Sequence, residues 1–293
     1  MLPLLLGIAL FLMSALPALA SDVLIVQSSR TPAYVEALRG FRAGFEGSSI
    51  TIVLSDYADV DVVRLIKEER PRLVLAVGDT ALAACRKVRQ VPVVSLMALS
   101  LTLSKSANST VTGVGVVASP ERYLSLFKAI GARKVGVVYD PNRTGGYFRR
   151  AQQAARKLGL ELVAREVRTP RETIGKLEQI KGSVDALWML PDTTAVTVET
   201  LGDFFRFSLE QRVPLVTFAS QYLDKGALAA IEADRLDLGR VVGEQIRKLL
   251  DRTTDGPSVV DARKVRLATN VSVSKKLEIS TSDLERVVRA TGE

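Results

Sequence analysis

The chain has 293 residues, 47% hydrophobic and 25% charged, and its 40 Lys and Arg against 32 Asp and Glu give a formal charge of +8. That length and balance suit one large or two medium globular domains, not a disordered chain. It has no histidine, and Cys85 is the only cysteine, which excludes an internal disulfide, a thiolate zinc cluster, a CxxC redox pair and any mechanism resting on an imidazole base.

The first twenty residues, MLPLLLGIALFLMSALPALA, are uncharged and end in Ala18-Leu19-Ala20 ahead of Ser21. This small-x-small pattern predicts a secretory signal peptide cut after Ala20, and hence an exported, periplasmic product. No Lys or Arg precedes the apolar run, so the amino terminus supplies the positive charge, and because a stretch of this length is near the spanning minimum an uncleaved anchor helix is the alternative. No cysteine follows it to accept a lipid.

From there, short β-branched runs alternate with segments of helical period. VLIVQSS (23–29) reads as a buried strand, followed by a helix from Pro32 to about Phe45. ITIVLS, a helix to Arg70, LVLAVG, the helix ALAACRKV and VPVVSLMA complete a β-α-β-α-β-α-β half. A polar stretch, Thr102 to Thr112, separates it from a second half. That half begins with TVTGVGV, a helix from Ser119-Pro120-Glu121 and the strand KVGVVYD. A helix through Ala151 to Leu158 ends at Gly159; then come ELVAREV, a helix from Pro170, ALWMLP, a helix through Phe204 to Arg212, and VPLVTFA.

The remaining elements, GALAAIEAD, the helix DLGRVVGEQIRKLLDR and a strand around KVRLATNV, are too few for a third domain. The chain is therefore expected to cross back, adding a helix to the first half and a strand to the second. The fold class is α/β: two Rossmann-like parallel-sheet lobes joined by a hinge. Residues 21–117 with about 230–256 form the N-terminal lobe, and 118–229 with about 257–293 the C-terminal lobe. Ligands of open α/β sheets bind at the carboxyl ends of the strands, so the expected site is the cleft between the lobes. The basic excess between Arg143 and Lys181 is interleaved with Glu161, Glu166, Glu172 and Glu178. It reads as solvated helix surface, and no nucleic-acid partner is expected.

The order VLIVQSS, VGDTALAA, STVTGVGV, KVGVVYDPNRTGG, VDALWMLPDTTAV, VPLVTFASQYLDKGALAAIEAD and TNVSVSKKLEI resembles the substrate-binding proteins of ABC transporters of the tryptophan and aromatic amino-acid type. The resemblance covers about Val23 to Ile279. It implies a type I periplasmic-binding fold, a small-molecule ligand such as an amino acid, and delivery to a membrane permease. The chain departs from the family at Ala98-Leu99-Ser100-Leu101-Thr102, where a Thr-Asp-Pro segment is common. It departs again at Asp234-Arg235, where Asp-Tyr is frequent.

Candidate ligand contacts are the polar residues at strand ends. Gly78-Asp79-Thr80 closes a strand and opens a helix, placing amides toward an anion, or simply capping that helix. Gln27, Ser28 and Ser29 end the first strand as contacts or as a turn. Tyr139 and Asp140 precede Pro141 and the pair Gly145-Gly146: a flexible turn, or an aromatic wall with an acid for an ammonium. Asp192 and Thr193 approximate a cleft segment of the resembled family, or cap the next helix. Phe218, Ser220 and Gln221 would face the same opening. Gly145-Gly146 lacks the order of a phosphate loop, and Trp188 reads as core.

Cys85 lies on an apolar face with no base beside it, so no catalytic residue, no enzyme activity, no cofactor and no metal are expected. The expected partners are a small molecule and an ABC permease, with a membrane receptor or sensor kinase as the alternative, and the chain is expected to be a monomer. A DNA-binding regulator with the same lobes would need a helix-turn-helix where the apolar segment stands.

Overall fold

Strands that are apolar at nearly every position must be covered on both faces, and a parallel sheet flanked by helices provides this. The computed structural model describes residues 21–103, 111–253, 258–281 and 284–290; the expected signal peptide lies outside them. The first half runs β1 (Val23–Gln27), α1 (Pro32–Gly44), β2 (Ser49–Val53), α2 (Val62–Glu69), β3 (Leu73–Val77), α3 (Asp79–Ala84), β4 (Val93–Leu96), α4 (Leu99–Leu103) and β5 (Thr112–Val114). The second runs α5 (Pro120–Ala129), β6 (Lys134–Tyr139), α6 (Pro141–Leu158), β7 (Glu161–Glu166), α7 (Thr173–Glu178), β8 (Ala186–Trp188), α8 (Leu201–Gln211), β9 (Leu215–Thr217) and β10 (Ala229–Ala233). The chain closes with α9 (Arg235–Leu250), β11 (Val259–Val260), β12 (Val265–Thr269), α10 (Val271–Lys276) and α11 (Leu284–Ala290).

Among the described residues two six-stranded sheets result, ordered β11-β5-β4-β3-β1-β2 and β12-β10-β9-β8-β6-β7. Each of the described pairings is parallel except that of β10 with β12. β1 and β3, at the centre of the first sheet, are buried at every residue. In the second lobe Trp188 is buried, with the rings of Tyr123, Phe127 and Tyr147 at 5.0, 5.8 and 6.0 Å.

Local chemistry sets the helix starts. Pro32 stands in the first turn of α1, and the Thr31 hydroxyl accepts from the Tyr34 amide. α6 begins at Pro141, well ahead of Ala151, because Asp140 caps it and proline is preset for the first turn. The Gly145-Gly146 pair therefore sits inside a helix and is no flexible turn.

The returning segments complete both lobes. Helix α9 lies on α1 with backbones in contact. A Cβ added to Gly239 would stand 1.9 Å from the Ala37 carbonyl oxygen, and one added to Gly40 would stand 2.0 Å from that of Leu236. The switch points differ by a few residues from the expected 230 and 257. Ala229–Ala233 extends the second sheet beside β9, and Val259–Val260 extends the first beside β5. In both places a short apolar run continues an existing ladder before the chain leaves it, which satisfies its backbone groups.

Candidate ligand-binding cleft

Among the described residues three crossings join the lobes, and each links one carboxyl edge to the other. The first leaves β5 for α5, and the second leaves β10 for α9. The third runs from β11 to Val265 of β12, which pairs antiparallel with Ala233 at the end of β10. The carboxyl ends of both sheets therefore face one opening spanned by the crossings. Helix α4 of the first lobe packs against α6 of the second beside it. Side chains of the second lobe grip the crossings: Tyr147 donates its hydroxyl to the Ala118 carbonyl at 2.7 Å, and the buried Arg122 donates to the Arg263 carbonyl at 2.8 Å.

On the first lobe, Ser28 joins two strand ends. Its hydroxyl donates to the Val77 carbonyl at 2.9 Å and accepts from the Ala81 amide at 2.9 Å, so it caps α3 from outside the helix. Gly78 has φ +89, and a Cβ there would meet the Tyr34 hydroxyl at 2.4 Å, so only glycine fits. Asp79 is exposed, and its carboxylate accepts from the amides of Leu99 and Ser100 at 3.1 and 2.9 Å. It thus organises the Ala98–Thr102 segment, the place where the chain departs from its resembled family. Gln27 is buried and donates to the Ser29 carbonyl at 2.6 Å, Ser29 is half-buried, and Thr80 is exposed. Tyr34, absent from the expected set, completes this wall. Burial, and then the charge of Asp79, push its phenol above the ordinary range.

On the second lobe the acids are buried. Asp192, 1% exposed, accepts from the Asp140 amide at 2.7 Å, the Thr144 hydroxyl at 2.6 Å and the amides of Thr194 and Ala195 at 2.9 Å each. Asp140, 4% exposed, caps α6 through Asn142 and accepts from the Thr194 hydroxyl at 2.8 Å. Tyr139 stacks on Phe148 at 4.1 Å and donates to Glu166 at 3.2 Å. Burial first, then the Glu166 charge, push its phenol up to about 12.

Thr193 and Gln221 are exposed and Phe218 is half-buried, with its ring edge-on to Tyr222 at 5.6 Å. The amide and hydroxyl of Ser220 both donate to Glu232, at 2.7 and 3.1 Å. Glu166 and Arg168 also stand at this edge, the guanidinium 3.9 Å from both Asp140 and Glu166. Sequence reasoning missed them because Glu166 was counted with the charges of a solvated helix surface, whereas Glu161–Glu166 is strand β7 and Arg168 follows it closely. The signal was positional: β7 pairs in register with β6, so Glu166 lies opposite Tyr139.

This arrangement offers hydroxyls and a left-handed glycine turn on one side, and an aromatic ring with one acid and one cation on the other. It holds groups for recognition. Ser28 gives its proton to a backbone carbonyl, which leaves it unactivated, and burial pushes the Cys85 thiol up to about 12. Among the described residues no cluster of three or more His, Cys, Asp or Glu is placed to hold a metal. No described helix is long and apolar enough to cross a membrane.

The profile of the family described as ABC transporter substrate binding protein matches residues 51–292. No curated protein matches the chain in sequence. Among solved structures, the ligand-free, open form of a substrate binding protein with adhesive properties from Clostridium difficile superposes with a TM-score of 0.70 at 18% identity, covering 89% of this chain and 96% of that one. An ABC domain in complex with L-Trp from Streptococcus pneumonia gives 0.62 at 18% identity, covering 92% and 97%. A glucose-galactose binding protein from Geobacillus stearothermophilus gives 0.52 at 14%, covering 86% and 98%. At these identities the likeness establishes the fold, that of type I periplasmic binding proteins.

Proposed function

Since this chain belongs to the family of ABC transporter substrate binding proteins, we propose that it captures an amino acid in the cleft between its lobes and delivers it to an ABC permease. Members of this family bind small molecules and act outside the cytoplasm, and the uncharged segment ending in Ala18-Leu19-Ala20 supports export of this chain. The observation that carries the reading is the convergence of both carboxyl edges on one opening bridged by three crossings. Two rigid lobes so joined can close on a ligand by small changes in the crossing residues.

In this reading the ligand's polar head sits near Ser28, Ser29 and Thr80, with Gly78 and Tyr34 shaping the wall. Its remaining groups meet Tyr139, Thr193, Phe218 and Gln221, with Glu166 and Arg168 at the rim. Gln27, Asp79, Asp140, Asp192 and Ser220 hold these groups in place through the bonds described above. The L-Trp in the Streptococcus structure supports an amino acid as the ligand class.

Thermal-shift measurements of the purified protein against single amino acids and sugars test this. A ligand at a hundredfold excess over its Kd stabilises the native state by about 2.7 kcal/mol, so an amino acid is expected to raise Tm. Thr80→Trp, which puts bulk at an exposed cleft position, is expected to remove the shift while leaving the ligand-free Tm unchanged. A shift with sugars alone would overturn the ligand class. A full shift in Thr80→Trp would overturn the site.

A further inference from the structure

The second lobe carries a groove of about 610 Å3 formed by α8 with Arg212 at its end, Lys225 and Gly226, and α10 with Leu277 at its end. It lies at the amino edge of the sheet, opposite the cleft. β12 runs antiparallel to β10 and pairs Thr269 with Ala229, so α10 starts where β10 starts; α8 likewise ends just ahead of β9. Asn270 fixes the wall. Its carboxamide oxygen caps α10 at the Val273 amide, 3.0 Å away, and its Nδ2 donates to the Leu223 carbonyl at 2.7 Å.

The floor is apolar. Phe205, Val273 and Leu277 are half-buried, and Leu209 is 77% exposed on α8. Gly226, with φ +112, turns the chain beside Phe205 without a side chain to fill the space. The rim is cationic. Arg212, Lys225 and Lys276 line it and are exposed, and among the described residues none of the three has an ion pair, whereas Arg206 is held by Asp203. No acidic side chain of the described residues lines the groove.

An apolar floor ringed by uncompensated cations complements one kind of molecule. We propose that this groove is a second binding site, independent of the cleft, for a free anionic amphiphile. Its hydrocarbon body would cover Leu209, Phe205 and Leu277, and its carboxylate-like head would meet Arg212, Lys225 and Lys276. The volume falls in the range of small-molecule sites, and charge-assisted hydrogen bonds from Arg and Lys favour the anionic head.

Calorimetric titration of the purified protein with dodecanoate, dodecyltrimethylammonium and butyrate tests the proposal. Dodecanoate is expected to bind a single site, with the cationic amphiphile and the short carboxylate at least about tenfold weaker. Leu209→Asp and Lys276→Glu, both at exposed positions, are each expected to weaken dodecanoate by about tenfold, and Thr80→Trp in the cleft is expected to leave it unchanged. The proposal is overturned by absence of saturable binding, by equal binding of the cationic amphiphile, or by loss in Thr80→Trp in place of the groove variants. Binding to phosphatidylglycerol vesicles without binding of the free carboxylate also overturns it, because the face would then be a membrane contact.

Discussion

The two carboxyl edges carry similar polar residues and hold them differently. On the first lobe Asp79 is exposed and caps a neighbouring segment from the surface, while Ser28 ties two strand ends through backbone groups. On the second, Asp140 and Asp192 are sunk beneath the edge, and Asp192 gathers four donors from two chain segments, 140–144 and 194–195. A strand-end carboxylate thus serves as a surface cap in one lobe and as a buried joint in the other. What separates them is access to water: an unpaired donor near the surface is rehydrated, and a buried one is not.

Stability measurements sharpen this contrast most strongly. Asp192→Ala orphans three buried amides and leaves the Thr144 hydroxyl only the Asp140 carbonyl, 3.4 Å away, and is expected to cost about 3–4 kcal/mol in urea denaturation. Asp79→Ala is expected to cost about 1 kcal/mol, the value of an exposed cap. Equal losses would erase the distinction between the edges.

The returning chain adds a close-packed helix, α9, to the first lobe as well as an edge strand to each sheet. Gly239→Ala drives a Cβ into the backbone of α1 and is expected to cost about 2–3 kcal/mol through overpacking. Gly175→Ala, in α7 of the second lobe with nothing within 4 Å, is expected to be neutral or to stabilise by about 0.5–1 kcal/mol. The same denaturation experiment reads both.

A smaller effect concerns Tyr139. Its folded pKa, about 12, lies above the ordinary tyrosine value, so the folded state holds its proton longer than the unfolded chain does. Stability is therefore expected to fall as pH rises from about 10 toward about 12. Glu166→Gln removes a charge that raises this pKa, so ultraviolet titration of the phenol is expected to show it ionising at lower pH. The smallest effect is kinetic and belongs to the first lobe. Cys85, buried with its thiol at about 12, is expected to resist iodoacetamide in the native protein and to react at once in urea.

Much of the architecture is legible in particular runs. VLIVQ and LVLAV have too few polar positions to face water on either side, so each had to be a central parallel strand. Pro32, Pro120 and Pro141 mark helix starts because proline lacks the amide hydrogen a first turn leaves unpaired. The candidate site is less legible. Glu166 and Arg168 reach the cleft edge only through the register of β6 with β7, and Tyr34 only through the approach of Gly78 to α1.

The sequence by itself determined the α/β rhythm, the crossing back of the last segments and the lack of an imidazole or an activated thiol, since these follow from local composition and period. Tertiary structure decided which strand joined which sheet near Ala229 and Val259, because ladder pairing depends on neighbours distant in the chain. It also decided which carboxylates stay at the surface. Asp79, Asp140 and Asp192 look alike in sequence, and only packing determines how much water each retains.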